Sequence, residues 1–207
     1  MLTSISEGAQ REAIHFKNRI LDLLNIFVRK QPKSAHIMQI LIPLLTLAFS
    51  DEKQLSEKAI GLLRSRIDKL KVVPSIIDIA KASDILNDLH ARARKVHSNE
   101  ALAAISFCSL YVSKALLHAG ADTTVRTAYT LSLVDFTERK ASDLNTDFFS
   151  DFIKRQPRIA WDMREVLLAA PAKAVNAYRR GQAFIILETL LVCLPSMVSA
   201  ILRSVVL

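Results

Sequence analysis

Apolar residues recur at helical spacing through almost the whole chain, and residues that stop helices are rare. Ile14, Leu21, Leu24 and Val28, for example, fall on one face of a predicted helix. Only 4 glycines and 6 prolines interrupt the 207 residues. A β-sandwich or a dinucleotide-binding α/β domain of this length would need more turn residues. The sequence therefore predicts an all-α protein.

Capping residues and prolines divide this pattern into helices joined by short connectors. Ser50 and Asp51 are expected to cap the third helix, and Ser98 and Gly120 to begin and end the fifth. Pro195 is expected to separate the last two helices. The predicted helices span residues 10–31, 35–49, 52–71, 82–97, 99–118, 122–140, 145–155, 157–169 and 172–193, with a last one from 196 onwards.

Many helices with short links are typical of antiparallel helical pairs stacked into a solenoid. Each predicted pair spans about 40–45 residues, as in HEAT and armadillo repeats. We expect residues 1–207 to form one such helical-repeat domain and to be a piece of a longer chain. No repeated sequence signature accompanies this period, so a compact irregular bundle is the alternative.

Basic side chains are the most informative polar feature. The formal net charge is +8, with the excess spread over both halves of the chain. Basic pairs and triplets fall at predicted helix ends, where cations are favoured by the helix dipole alone. In antiparallel pairs, alternate helix ends could also form a basic rim that contacts phosphates. The candidate nucleic-acid contacts are Arg64, Arg66, Arg92, Arg94 and Lys95.

The chain shows no motif for catalysis, cofactor binding or structural metal. Phosphate-cradling glycine loops, nucleophile elbows and zinc-protease helices do not occur. Neither Cys108 nor Cys193 has a second Cys or a His at zinc-ligand spacing in the sequence, which favours buried thiols over a zinc site. The histidines are scattered. We therefore expect no enzyme, no cofactor and no metal.

Two carboxylate pairs have the spacing of possible magnesium ligands, as in polymerases and nucleases. Asp84 and Asp88 are one helical turn apart, and Asp147 and Asp151 repeat that spacing. Two carboxylates alone do not build a two-metal site. Each pair is more simply a solvated helix start, where acids complement the dipole.

The apolar stretch 183–207 is long enough for a membrane span but carries interruptions. Glu188, Pro195 and Arg203 fall inside it, and charges and prolines disfavour a spanning helix. We expect a buried helix followed by the start of another, and no membrane partner.

Several stretches resemble one known family. They are RILDLLNIFVRKQPKS (19–34), the run from LIPLLTLAF to KVVP (41–74), LHARARKVHS (89–98), CSLYVSKALLHAGAD (108–122) and the run from FTERKASD to RRGQAF (136–184). Their text is similar to fungal members of the DNA polymerase phi family, the relatives of the vertebrate Myb-binding protein. The resemblance covers most of the chain and contains no catalytic signature.

The resemblance implies a nuclear, nucleolar protein that supports ribosomal RNA synthesis and ribosome assembly. It implies armadillo- or HEAT-like helices as a scaffold, within the C-terminal half of a longer protein. The implied partners are pre-ribosomal particles or ribosomal DNA chromatin, RNA at the basic helix ends, and other proteins. A protein-interaction module without nucleic-acid contact is the alternative, and a metal-dependent polymerase or nuclease is the least favoured class.

Overall fold

Helices account for nearly all of the regular structure. The computed structural model describes residues 2–205, with side-chain detail for residue 8 and residues 11–194. Over residues 2–205 it contains no strand. Its helices are α1 (Leu2–Lys30), α2 (His36–Ala48), α3 (Lys53–Leu62), α4 (Ile79–Ala93), α5 (Asn99–His118), α6 (Asp122–Glu138), α7 (Thr146–Arg155), α8 (Pro157–Asp162), α9 (Arg164–Lys173) and α10 (Ala177–Val205).

The helices stack in chain order, which confirms the predicted solenoid of antiparallel pairs. α2 packs on α3, α4 on α5, and α9 on α10. Each pair also contacts helices one or two places further along the chain, as α4 does with α6 and α5 with α7. Contacts between elements close in sequence are the defining property of helical-repeat proteins.

α5 is the central helix of this stack. Most of its residues are buried, including Cys108, Val112, Ala115 and Leu116 at 0% exposure. It is also the described helix that is long and apolar enough to cross a membrane, and 72% of its most apolar window is buried within the protein. Its apolar character is therefore explained by its position in the core.

Local capping chemistry sets several helix ends as predicted. The Ser98 side chain accepts a hydrogen bond from the Ala101 amide at the start of α5. Gly120 has a φ of +78° just after the end of that helix. The Ala121 amide donates to the Leu116 carbonyl oxygen at 2.9 Å, which completes the usual glycine-terminated helix end. Chain direction reverses there and α6 begins.

The third helix differs from the prediction at both ends. Its N-cap residue is Glu52, with no side-chain cap bond, so Ser50 and Asp51 are not caps. The Ser50 hydroxyl instead donates to the Leu47 carbonyl oxygen, at the end of α2. The helix was expected to reach residue 71, but a π-helical turn, Leu63–Ile67, closes it. This wider turn keeps both Leu63 and Ile67 buried at 1% exposure.

Pro157 begins α8 as predicted, but the two later prolines were poor guides to the helix boundaries. The predicted helix 157–169 divides at Met163, a buried residue between α8 and α9. Pro171, expected to lie between helices, sits inside α9. Pro195 does not separate two helices, because α10 continues through it to Val205. Proline removes one backbone hydrogen bond, and tertiary packing can keep the helix continuous despite that loss.

Candidate functional site: an apolar groove with a basic rim

A groove of about 870 Å³ opens where α2 ends, α4 ends and α5 begins. Its walls are apolar on the inside and charged at the edge. The lining residues are Leu45, Thr46, Phe49, Asp88, Ala91, Arg92, Lys95, Val96, His97, Ser98, Ala101 and Ile105.

The floor of the groove exposes an aromatic side chain. Phe49 directly follows the last residue of α2 and is 42% exposed. Leu45 and Ile105 also line the groove and are buried, at 3% and 4% exposure. Ala91 and Ala101 contribute short side chains to the lining. An accessible apolar depression of this kind suits a bulky side chain of a protein partner.

Two of the predicted nucleic-acid contacts form the rim. The Arg92 guanidinium lies 3.1 Å from the Asp88 carboxylate, one turn earlier on α4. Lys95 is exposed, and among the described residues it has no ion-pair partner. Both lie at the C-terminal end of α4, where the helix dipole favours cations. The rim therefore presents one paired and one available positive charge.

Arg94, between these two residues, points elsewhere. Its side chain is part-buried and donates to the Ser132 hydroxyl at 3.3 Å. Its carbonyl oxygen accepts a bond of 2.7 Å from the Arg139 guanidinium. Arg94 thus joins the end of α4 to α6. Its guanidinium is engaged with Ser132 and is not directed at the groove.

The other two predicted residues lie on the π-helical turn after α3, away from the groove lining. Arg64 is half exposed and forms an ion pair of 2.9 Å with Glu100 on α5. Arg66 is half-buried and donates to the Asn25 side chain on α1 at 2.9 Å. Three of the five predicted residues, Arg64, Arg66 and Arg94, are therefore not among the residues that line the groove. Arg92 and Lys95 share the groove, whereas the rest bridge neighbouring helices.

Sequence reasoning missed the apolar part of the site. Phe49 lies in the run LAFSDE. Its position gives only a weak indication of a binding site, since an aromatic residue just beyond a helix end is often buried. His97 also lines the groove, and its Nδ1 atom lies 3.0 Å from Asp143. No short sequence pattern predicts that α2, α4 and α5 come together at this site.

A buried polar contact joins α4 to α6 in the core. His90 on α4 is 1% exposed, and its Nδ1 atom lies 2.8 Å from the Ser132 hydroxyl. Its ring packs edge-on against Tyr129 and Phe148, with centroids 4.5 and 5.3 Å apart. Burial, followed by the nearby charge of Arg94, lowers the pKa of His90 to about 3. His90 is therefore a neutral packing residue at physiological pH.

The thiol of Cys108 and the two predicted carboxylate pairs can also be placed in the described part of the chain. Burial raises the pKa of Cys108 to about 12, which leaves an unreactive thiol. Among the described residues no three histidine, cysteine or acidic side chains come together as metal ligands. Asp84 and Asp88 lie within α4 and not at its start, and Asp88 is neutralised by Arg92. Asp147 lies in the first turn of α7, as expected.

Stacked helical pairs with an open apolar groove define a helical-repeat scaffold, a class whose chemistry is the binding of other macromolecules. A family model described as Myb-binding protein 1A-like, TPR repeats matches residues 31–200. The chain therefore belongs to that family, at the level of its helical repeats. TPR-like repeats generally mediate protein interactions. No curated protein and no solved structure matches the chain.

Proposed function

We propose that this protein is a non-catalytic nucleolar scaffold that supports ribosomal RNA synthesis and ribosome biogenesis. The observation that carries the proposal is the family match over residues 31–200. The resemblance to fungal members of the DNA polymerase phi family supports the finer assignment to the nucleus and nucleolus. The partners in this proposal are pre-ribosomal particles or ribosomal DNA chromatin, together with other proteins.

The groove between α2, α4 and α5 is the proposed docking site for a protein partner. Its exposed phenyl ring, Phe49, and its short-chain wall would receive an apolar anchor from that partner. Lys95 and Arg92 would favour an anchor that is flanked by acidic residues. Docking in such a groove needs no chemical step, in keeping with a scaffold.

RNA or DNA binding is the second part of the proposal, and the net charge of +8 favours it. Arg92 and Lys95 are its best candidates, because both are exposed at a helix end. Arg64, Arg66 and Arg94 remain candidates that would first have to leave their present partners.

The RNA part is tested by single-stranded RNA binding over a series of salt concentrations. Removing both rim charges, with Arg92→Gln and Lys95→Gln, should weaken binding and flatten the salt dependence. The log–log slope should fall by about 0.7 for each phosphate that the variant no longer neutralises. Lys69→Gln with Lys140→Gln is the charge-matched control outside the groove. Equal slopes for the rim and control variants would remove the rim from the proposal and favour the pure protein-interaction module.

The absence of catalysis is also a proposal, and it has a direct test. Nucleotide incorporation by the purified protein should stay at background level. Incorporation that disappears with Asp84→Ala or Asp147→Ala would instead support a metal-dependent polymerase.

The scaffold proposal is tested by purifying the tagged protein from cells. Pre-ribosomal RNA and ribosome assembly proteins, or ribosomal DNA chromatin, should be enriched over an untagged strain. Recovery at background level for all three would overturn the assignment to ribosome biogenesis.

A further inference from the structure

The helix α1 carries two apolar stripes, and one of them is exposed. On the buried side, where α1 packs on α3 and on the π-helical turn, Leu21 and Val28 are both 1% exposed. Phe16, Ile20 and Leu23 are 65%, 38% and 64% exposed. Because each residue turns the helix by about 100°, these three lie well round the helix from the buried pair. A helix that packs only on its own domain needs a single apolar stripe.

The exposed stripe has the spacing of a coiled coil. Phe16, Ile20 and Leu23 alternate between separations of four and three residues, and Ala13, three residues before Phe16, is exposed as well. Ala13 and Ile20 therefore occupy the a positions of a heptad repeat, and Phe16 and Leu23 occupy the d positions. A β-branched residue at a with leucine at d favours two parallel strands.

The first part of this stripe receives little support from the rest of the chain. Within residues 11–17 every residue is exposed except the half-buried Ile14. Further along, the Asn18 side chain donates to Gln54 on α3 at 3.3 Å, and Lys58 donates to the Asn18 carbonyl oxygen at 3.1 Å. A short helical segment without packing is marginal in water. A neighbour on the exposed stripe would therefore stabilise this part of α1.

Charged residues beside the stripe match a second copy of the same helix. Glu12 occupies a g position, and Lys17 occupies the e position of the following heptad. In a parallel pair of helices in register, these two positions face each other across the interface. Glu12 of each copy would thus face Lys17 of the other copy. Both side chains are exposed, and neither takes part in an ion pair within the described residues.

We propose that two copies of this chain dimerise through α1, as a parallel coiled coil over residues 12–24. Ile20 of one copy would pack against Ile20 of the other, with layers of Phe16 and Leu23 on either side. The rest of each copy lies against the buried side of its own α1, so the two solenoids would extend away from the contact. Such a dimer presents the groove at Phe49 twice, which raises its avidity for a partner that has two anchors. It does not depend on the nucleolar proposal.

Sedimentation equilibrium of the whole chain, over an about hundredfold range of protein concentration, tests the dimer. The wild-type chain should show a reversible equilibrium between monomer and dimer. Leu23→Lys should remain a monomer throughout, because it places a charge in an apolar layer of the interface. Leu131→Lys, at a 57% exposed position on α6, is the matched control and should dimerise like the wild type. Circular dichroism shows whether both variants are folded.

The parallel register is tested by reversing the charges. Glu12→Lys alone and Lys17→Glu alone each replace two attractions by two repulsions and should weaken the dimer about tenfold. An equal mixture of these two variants should associate as tightly as the wild type, because opposite charges again face each other. One chain that carries both substitutions keeps the net charge of +8 and should also dimerise normally.

A wild-type chain that stays monomeric would overturn the proposal, even if its α1 instead binds a helix of a different protein. Equal loss of the dimer in Leu23→Lys and Leu131→Lys would show that the contact does not lie on α1. A mixture that associates no better than its separate components would rule out the parallel register. Failure of the tagged protein to recover pre-ribosomal material would leave the dimer unaffected, so the two proposals fail separately.

Discussion

Arg179 shows how a single buried cation can hold a connecting segment against a helix. It is 8% exposed, and its guanidinium donates to the carbonyl oxygens of Ser142 and Leu144 and to the Gln182 side chain. It also lies 4.5 Å from the ring centroid of Phe136. The connection between α6 and α7 is thereby tied to the first turn of α10. Backbone carbonyls take the place of a carboxylate partner here.

Removing this side chain should cost much more than removing its neighbour. Arg179→Ala leaves two carbonyl oxygens without their donor, and we expect the free energy of unfolding to fall by about 3 kcal/mol. Arg180→Ala, at an exposed position, should change it by less than about 0.5 kcal/mol. Urea denaturation followed by circular dichroism measures both. If the two variants lost similar amounts of unfolding free energy, the hydrogen bonds of Arg179 would not be what holds the α6–α7 connection to α10.

His90 makes the stability of the fold sensitive to acid. Its pKa is lowered to about 3 by burial and by Arg94, whereas a histidine in the unfolded chain titrates near about 6.5. As the pH falls through 6.5 the unfolded state takes up a proton that the folded state excludes. Stability is therefore lost on acidification, by about 2 kcal/mol between pH 7 and pH 5 from this residue alone.

The matching experiment compares the pH dependence of unfolding in two proteins. His90→Asn keeps a polar atom near the Ser132 hydroxyl but removes the titrating ring. Whatever its effect at pH 7, the loss of stability between pH 7 and pH 5 should shrink by about 2 kcal/mol. An unchanged slope would mean that other groups cause the acid sensitivity.

At the scale of elements, two glycines with similar open surroundings have opposite roles. A Cβ atom added at Gly120 or at Gly181 would meet nothing within 4 Å. Gly120 has a φ of +78° and ends α5, whereas Gly181 is an exposed position inside α10. The two glycines therefore differ mainly in their backbone conformation, and not in the space around a new side chain.

We predict that alanine at these positions changes stability in opposite directions. Gly120→Ala forces a side chain into the left-handed region and should destabilise the fold by roughly 1 to 2 kcal/mol. Gly181→Ala should stabilise it by roughly 0.5 to 1 kcal/mol, through the higher helix propensity of alanine. Thermal unfolding of both variants is sufficient. A stabilising Gly120→Ala would contradict the described end of α5, and a destabilising Gly181→Ala would contradict the helical position of Gly181 in α10.

At the scale of the whole molecule, helices could be predicted from the sequence but the sites could not. Apolar spacing and the caps at Ser98 and Gly120 predicted α5 correctly, because those signals are local. Pro171 and Pro195 were misleading, since both lie inside helices, α9 and α10. The groove at Phe49 depends on which helices become neighbours, and that is decided by tertiary contacts. Arg179 and Arg180 look alike in the sequence for the same reason.

The outer helices of the solenoid carry further surface for contacts. On α1, Phe16 and Leu23 are 65% and 64% exposed, and on α10 Phe184 and Leu191 are 56% and 60% exposed. Stacked repeats usually bury such faces against a neighbour. Together with the groove at Phe49, these exposed faces are surfaces that the scaffold proposal would use for contacts with partners.

Rescue of ribosomal RNA synthesis is the most direct measurement of the central claim. Cells depleted of their own copy would receive the wild-type protein, Phe49→Asp in the groove (42% exposed), or Leu168→Asp at an exposed apolar position outside it (66%). Pulse labelling of precursor ribosomal RNA should recover with wild type and Leu168→Asp, and stay low with a folded Phe49→Asp protein. Normal labelling after depletion would contradict a role in ribosome biogenesis, and full rescue by Phe49→Asp would contradict the groove as its docking site.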